Sequence, residues 1–149
     1  MDPSDKAVFA LSLVCYGAAL CLPGLAADGT NPYGFDGVVG FSCLAFGWST
    51  ALTSSWKFFL PWTANFLYFP ALLLWCIGRR ARPWGVLLAL GGFMLAALVF
   101  RIDSMMVNEA GHRAAVRPGW GAWFWMASML LIPLGAGWSG CRRLMGRKK

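Results

Sequence analysis

Charge is scarce in this chain. Only 13% of its 149 residues are Asp, Glu, Lys or Arg, where a soluble domain carries about 25%, so most of its surface has no need of water. Acidic groups number six, Glu109 is the single glutamate and His112 the single histidine. No ionisable residue stands in the middle of an apolar block. That argues against a proton-coupled pump, whose relay needs a buried carboxylate or histidine. The phosphate-loop, G-x-S-x-G, H-E-x-x-H and C-x-x-C-H patterns are all missing. The five cysteines (Cys15, Cys21, Cys43, Cys76, Cys141) include no C-x-x-C pair and no ligand-like spacing to His112, against zinc or thioredoxin-like chemistry. Four of them lie in apolar blocks, where cysteine behaves as a small hydrophobe. A Cys21–Cys43 disulfide stays open, because both fall near one interface. No internal repeat and no linker divides the chain, so residues 1–149 read as one domain.

What is abundant is apolar. Hydrophobic residues make up 58% of the chain, aromatics 15%, and the mean hydropathy is +0.58. They gather in five blocks, at about 7–27, 37–55, 58–78, 84–100 and 119–139. Blocks of about 20 residues are what a hydrocarbon core of roughly 30 Å requires of a helix, and a helix satisfies its own backbone there. The first block follows Met-Asp-Pro-Ser-Asp-Lys, which lacks the basic leader of a secretory signal and so predicts a retained transmembrane helix. The second is rich in Gly, Ser and Thr, with Gly40, Cys43, Gly47 and Ser54 on one helical stripe. The third holds Pro61, Asn65 and Pro70; the fourth carries the small pairs Gly85/Ala89 and Gly92/Ala96. Small stripes of this kind let helices approach closely in a membrane. Trp120, Trp123, Trp125 and Trp138 flank the fifth block as an aromatic belt would.

The formal charge of +7 does not point to nucleic acid, since the basic residues cluster between and after apolar blocks instead of along one face. They act as topology signals. Arg79, Arg80, Arg82 and the basic tail predict a cytoplasmic arginine corner and a cytoplasmic C-terminus in a bacterial inner membrane. Two arrangements follow. Four transmembrane helices with an interfacial or re-entrant segment at 37–55 put nine of the thirteen basic residues inside; five crossings put eight there. The expectation is an all-α integral membrane protein of the four-helix kind, with five crossings as the alternative.

The candidate chemistry is thin. The loop 101–118 gathers Arg101, Asp103, Met105, Met106, Asn108, Glu109, His112, Arg113 and Arg117. A histidine and two carboxylates suit acid–base work or a metal, and methionines with histidine suit copper, yet any membrane loop must be polar. Asn65 is the strongest polar residue inside an apolar block, and an amide in lipid wants a neighbouring helix or a ligand. The sequence Gly-Trp-Gly-Ala-Trp-Phe-Trp at 119–125 could line a lipid or quinone pocket. The candidate binding residues are therefore Asn65, Asp103, Glu109, His112, Arg113 and Trp123, with no catalytic residue, metal site or cofactor expected.

These segments resemble a family of small uncharacterised bacterial polytopic membrane proteins. The likeness rests on Cys43-Leu-Ala-Phe-Gly-Trp48, Trp62-Thr-Ala-Asn65, an apolar run closed by arginines, Asn108-Glu-Ala-Gly-His112 and Gly121-Ala-Trp-Phe-Trp-Met-Ala-Ser128. In such proteins a proline often follows the Trp-x-Ala-Asn; here Phe66 stands there and Pro70 comes later. The family brings no activity. It implies that Asn65, Glu109 and the Trp-rich start of the last block belong together around one outward-facing site. The functional expectation is a non-enzymatic protein, embedded in the lipid bilayer, that acts through a membrane-protein partner or a second copy of itself as an accessory, assembly or immunity-type factor. The alternatives are a small transporter or channel subunit, and a lipid- or quinone-binding protein or enzyme.

Overall fold

The computed structural model describes residues 2–28, 36–52, 56–106 and 111–146, with side chains described as far as residue 140. Helix α1 (Pro3–Cys21) starts where Asp2 and Pro3 set its first turn, and the Asp5 carboxylate accepts the Asp2 backbone N–H at 3.2 Å. It stops because Pro23 bars the residue before it from helical backbone, and Leu22 is extended at φ −97°, ψ 158°. Strand β1 (Pro23–Ala27) and strand β2 (Gly37–Val39) follow, then helix α2 (Gly40–Phe46) and a 3₁₀ turn (Gly47–Ala51). Helix α3 (Trp56–Ile77) turns at Gly78, φ +146°, into helix α4 (Arg82–Ala96), which tightens into a 3₁₀ turn at Ala97–Arg101. Strands β3 (Ser104–Met106) and β4 (Arg113–Pro118) lead into the last helix, α5 (Trp120–Gly146).

Four helical stretches are long and apolar enough to cross a membrane: Pro3–Cys21, Trp56–Ile77, Arg82–Arg101 and Trp120–Gly140. The segment 40–51 is not among them. Seven α-helical and five 3₁₀ residues span only about 20 Å, short of a bilayer core. Of the two arrangements expected, the structure takes four long helices plus one short segment.

The all-α expectation is corrected by a curled four-stranded sheet of order β2-β1-β4-β3, antiparallel throughout. Residues 23–27, read as the end of the first helix, form its β1 strand. The physical cause is visible in β4, where Ala114 and Val116 point inward and Arg113, Ala115 and Arg117 outward. That two-residue period buries one face only. The expected second block at 37–55 divides likewise into strand, helix and 3₁₀ turn, with 53–55 outside the described residues. Cys21 and Cys43 are free thiols and not a disulfide.

Helix α3 packs on α4 through the small stripe. A Cβ at Gly85 would sit 3.0 Å from the Ala71 carbonyl oxygen, and one at Gly92 3.3 Å from that of Ala64. Helix α1 packs on α5 and presents Asp5, Ser12, Tyr16 and Ala19 to the interior, while Leu11, Leu13 and Val14 face outward. The Ser12 hydroxyl donates to the Ser128 carbonyl at 2.7 Å and lies 2.8 Å from the Tyr68 hydroxyl. At the other end of the molecule from the sheet, Arg82 pairs with Asp5 at 2.8 Å, their side chains 11% and 1% exposed. Ser139 donates to the same carboxylate at 3.1 Å, and Arg79 pairs with Asp2 at 3.2 Å. Arg82 also lies 4.9 Å from the Trp75 ring centroid. Breaking a pair this buried costs about 3–5 kcal/mol, so it holds the start of α1, the α3–α4 turn and the end of α5 together.

That clasp fixes which segments share a side. In a cysteine-free background, single cysteines at Lys6 and Arg80 are expected to react with a membrane-impermeant maleimide from one side, and cysteines at Asp36 and Ala115 from the other. Opposite sidedness for Lys6 and Arg80 would contradict the four-helix arrangement.

Candidate functional site

A cavity of about 380 Å³ lies at the sheet end. Its walls are α2 and the 3₁₀ turn after it, the first turns of α3 and α5, the end of α1 and the inner face of the sheet. Two glycines bring the short segment in. A Cβ at Gly40 would collide with the Ala19 carbonyl, and one at Gly47 with the Trp62 indole. Trp62 then fastens the segment to α3 by donating Nε1–H to the Leu44 carbonyl at 2.9 Å.

The lining is overwhelmingly apolar, and several of its polar groups are already occupied. The Ser49 hydroxyl donates to the Phe46 carbonyl at 2.7 Å and the Thr50 hydroxyl to the Gly47 carbonyl at 2.5 Å. Turning hydroxyls back onto the local backbone is how such groups are satisfied where water is missing. Burial pushes the Cys43 thiol up to about 11, which keeps it protonated and a poor nucleophile. Ser42 supplies a hydroxyl to the wall.

Asn65 carries the polar centre. It is 8% exposed, and its Oδ1 accepts from the Tyr16 hydroxyl and from Trp125 Nε1–H, both at 3.0 Å. Its Nδ2 donates to the Trp62 carbonyl at 2.9 Å. Three helices, α1, α3 and α5, therefore meet on one amide. The link between Asn65 and the Trp-rich start of α5 is thus present as a hydrogen bond, and it runs through Trp125.

The other expected residues lie elsewhere. Trp123 is half exposed on the outer side of α5, its ring 4.9 Å from that of Phe100; it stands two positions before Trp125, which faces the cavity. Asp103 is exposed and pairs with Lys57 at 3.4 Å. Its own backbone and the Lys57 ammonium hold its carboxyl below the usual carboxylate range, and a pair so exposed contributes little to stability. Arg113 points outward from β4 opposite Met106. His112 is exposed beside it. Asn108 and Glu109 lie outside the described residues. Strand alternation splits the loop cluster, since Met105 turns into the cavity while Met106 turns away. Among the described residues, no three His, Cys, Asp or Glu side chains come together as metal ligands would. Sequence reasoning missed Tyr16, and it held Trp62 and Trp125 only within longer stretches, the Trp62–Asn65 signature and the 119–125 run. The i, i+3 pair Trp62/Asn65 was the signal available for one of them; nothing local marks Tyr16.

Comparisons with protein-family models, with curated proteins and with solved structures give no match for the chain.

The amide junction has a measurable strength. Hydrogen bonds between membrane helices contribute on average about 0.6 and at most about 1.7 kcal/mol. Tyr16→Phe and Trp125→Phe are each expected to lower unfolding stability within that range. Asn65→Leu is expected to cost more, about 1–3 kcal/mol, because it leaves a buried hydroxyl and a buried indole N–H unpaired. Denaturation in mixed micelles reads all three. Equal, negligible effects would contradict the junction.

Proposed function

We propose that this chain is a non-enzymatic bacterial inner-membrane protein that binds a lipidic ligand in the cavity beneath its sheet. The observation carrying this reading is the cavity itself: about 380 Å³, lined almost wholly by carbon, with an oriented amide at one wall. A concave apolar site with a few placed polar groups is the usual form of a small-molecule site. At the density with which benzene's six carbons fill a cavity of roughly 150 Å³, the volume takes a chain of about fifteen carbons.

The sidedness supported by charge puts the Asp5–Arg82 clasp and the tail in the cytoplasm, with nine of the thirteen basic residues. The sheet and cavity then belong to the outer side. A partner-binding role drew its support from small-residue faces, and those are spent within the molecule: Gly85 and Gly92 against α3, Gly40 against α1, Gly47 against Trp62.

Purification in mild detergent followed by native mass spectrometry tests the reading. About one lipid or other apolar molecule per chain is expected to remain bound, and Ala122→Phe, which fills the cavity from α5, is expected to release it without loss of the thermal transition. An empty cavity with a protein partner at unit stoichiometry would replace this reading with an accessory-subunit role.

A further inference from the structure

A ligand drawn from a bilayer gains nothing from the hydrophobic effect on entering an apolar cavity, since lipid tails are as apolar as leucine. Selection must come from shape and from whatever polar contact the cavity offers, and the geometry of Asn65 supplies one. Its amide cannot flip. Trp125 Nε1–H can only donate, so the atom facing it must be the amide oxygen; the Trp62 carbonyl can only accept, so the atom facing it must be the nitrogen. The oxygen is held by two donors, Tyr16 and Trp125, and the nitrogen spends one N–H on Trp62. The second N–H has no acceptor among the described residues, on a residue that is 8% exposed and lines the cavity. In a site this dry, a spare donor is an incomplete hydrogen bond awaiting an oxygen.

The way in is also marked. Among the lining residues Phe46 alone is exposed, at 66%, and it stands at the mouth. Phe41, Trp48 and Leu52 on the same short segment are exposed as well, and the Trp48 indole N–H turns back to the Ala45 carbonyl at 2.9 Å. The mouth is therefore set in an apolar surface suited to lipid contact.

We infer that the cavity selects amphiphiles carrying a carbonyl oxygen, either the ester of an acyl lipid or the ring carbonyl of a prenylquinone. The carbonyl accepts the second Nδ2–H of Asn65, the apolar chain fills the cavity, and the ligand arrives from the bilayer beside Phe46. This rests on the apolar-ligand reading of the same cavity and adds to it the chemical group that is recognised.

The test uses the full chain in vesicles doped with a diacyl phosphatidylcholine bearing a photoactivatable diazirine in one chain, or with its diether analogue, which lacks the carbonyl. Crosslinks are mapped by mass spectrometry on Trp62 and Met105 in the cavity and on the exposed Phe66 as an internal reference. The ester lipid is expected to label the cavity about tenfold more than the ether, relative to Phe66, as one hydrogen bond of about 1.4 kcal/mol would give. Loss of that labelling to a few mole per cent of unlabelled short-chain ubiquinone assigns the carbonyl to a quinone, and its persistence assigns it to the lipid ester; both support the inference. In Trp125→Phe the amide loses one of its anchors, and the ester preference is expected to shrink while cavity labelling remains. Equal cavity labelling by ester and ether in the unmodified protein overturns the carbonyl inference and leaves the apolar-ligand reading standing. Labelling of Phe66 with none in the cavity, in the ester, ether and quinone arms alike, overturns both.

Discussion

Hydrocarbon offers no hydrogen bonds, and that single constraint organises this molecule. Each polar side chain carried into the long helices must find its partner inside the protein, and α1 does this in three layers. Asp5 meets Arg82 and Ser139, Ser12 meets Tyr68 and the Ser128 carbonyl, and Tyr16 meets Asn65. These residues recur at spacings of seven and four along one helical face, with Ala19 three further on. The helix is amphipathic in the inverse of the soluble sense: its polar stripe faces the protein, and Leu11, Leu13 and Val14 are exposed on the outer side of a helix apolar enough to cross a membrane. Its exposed apolar residues are the solvent-compatible ones.

The sheet answers the same constraint where the helices end. Backbone leaving the hydrocarbon must pair with water or with itself, and the two connections at that end pair with each other, β1 against β4. Their inward residues, Leu25, Ala114 and Val116, close over the helices. The segment 40–51 then rests between sheet and helices on two glycines with no room for a side chain. A short, irregular piece of backbone leaning on close glycine contacts packs less completely than two long helices. The cavity lies along that seam.

Much of this was legible. Block length and apolarity located all four long helices, and basic-residue placement favoured the arrangement that the Asp5–Arg82 clasp adopts. Asn65 stood out as an amide in an oily segment. Legibility failed where the determinant was long-range. Pro23 was visible, but its role in ending a helix and opening a strand depends on β4, about ninety residues away. Arg113 to Pro118 reads Arg-Ala-Ala-Val-Arg-Pro, so its two-residue period shows in burial and not in residue type, and the loop's polarity drew attention to chemistry. Trp123 and Trp125 are indistinguishable locally, because only the position of α3 decides which one meets the amide. Asp5 read as a leader residue, since its partner lies on another helix.

The claim on which the rest stands is that α1 turns its polar face inward and its apolar face to lipid. Spin labels placed singly from Val8 to Ala19 in the reconstituted protein, with collision rates measured for oxygen, which partitions into hydrocarbon, test it most directly. Oxygen accessibility is expected to oscillate with the helical period, with minima at Ser12, Tyr16 and Ala19 and maxima near Leu11 and Val14. Minima at Leu11 and Val14, or no oscillation at all, would contradict the account.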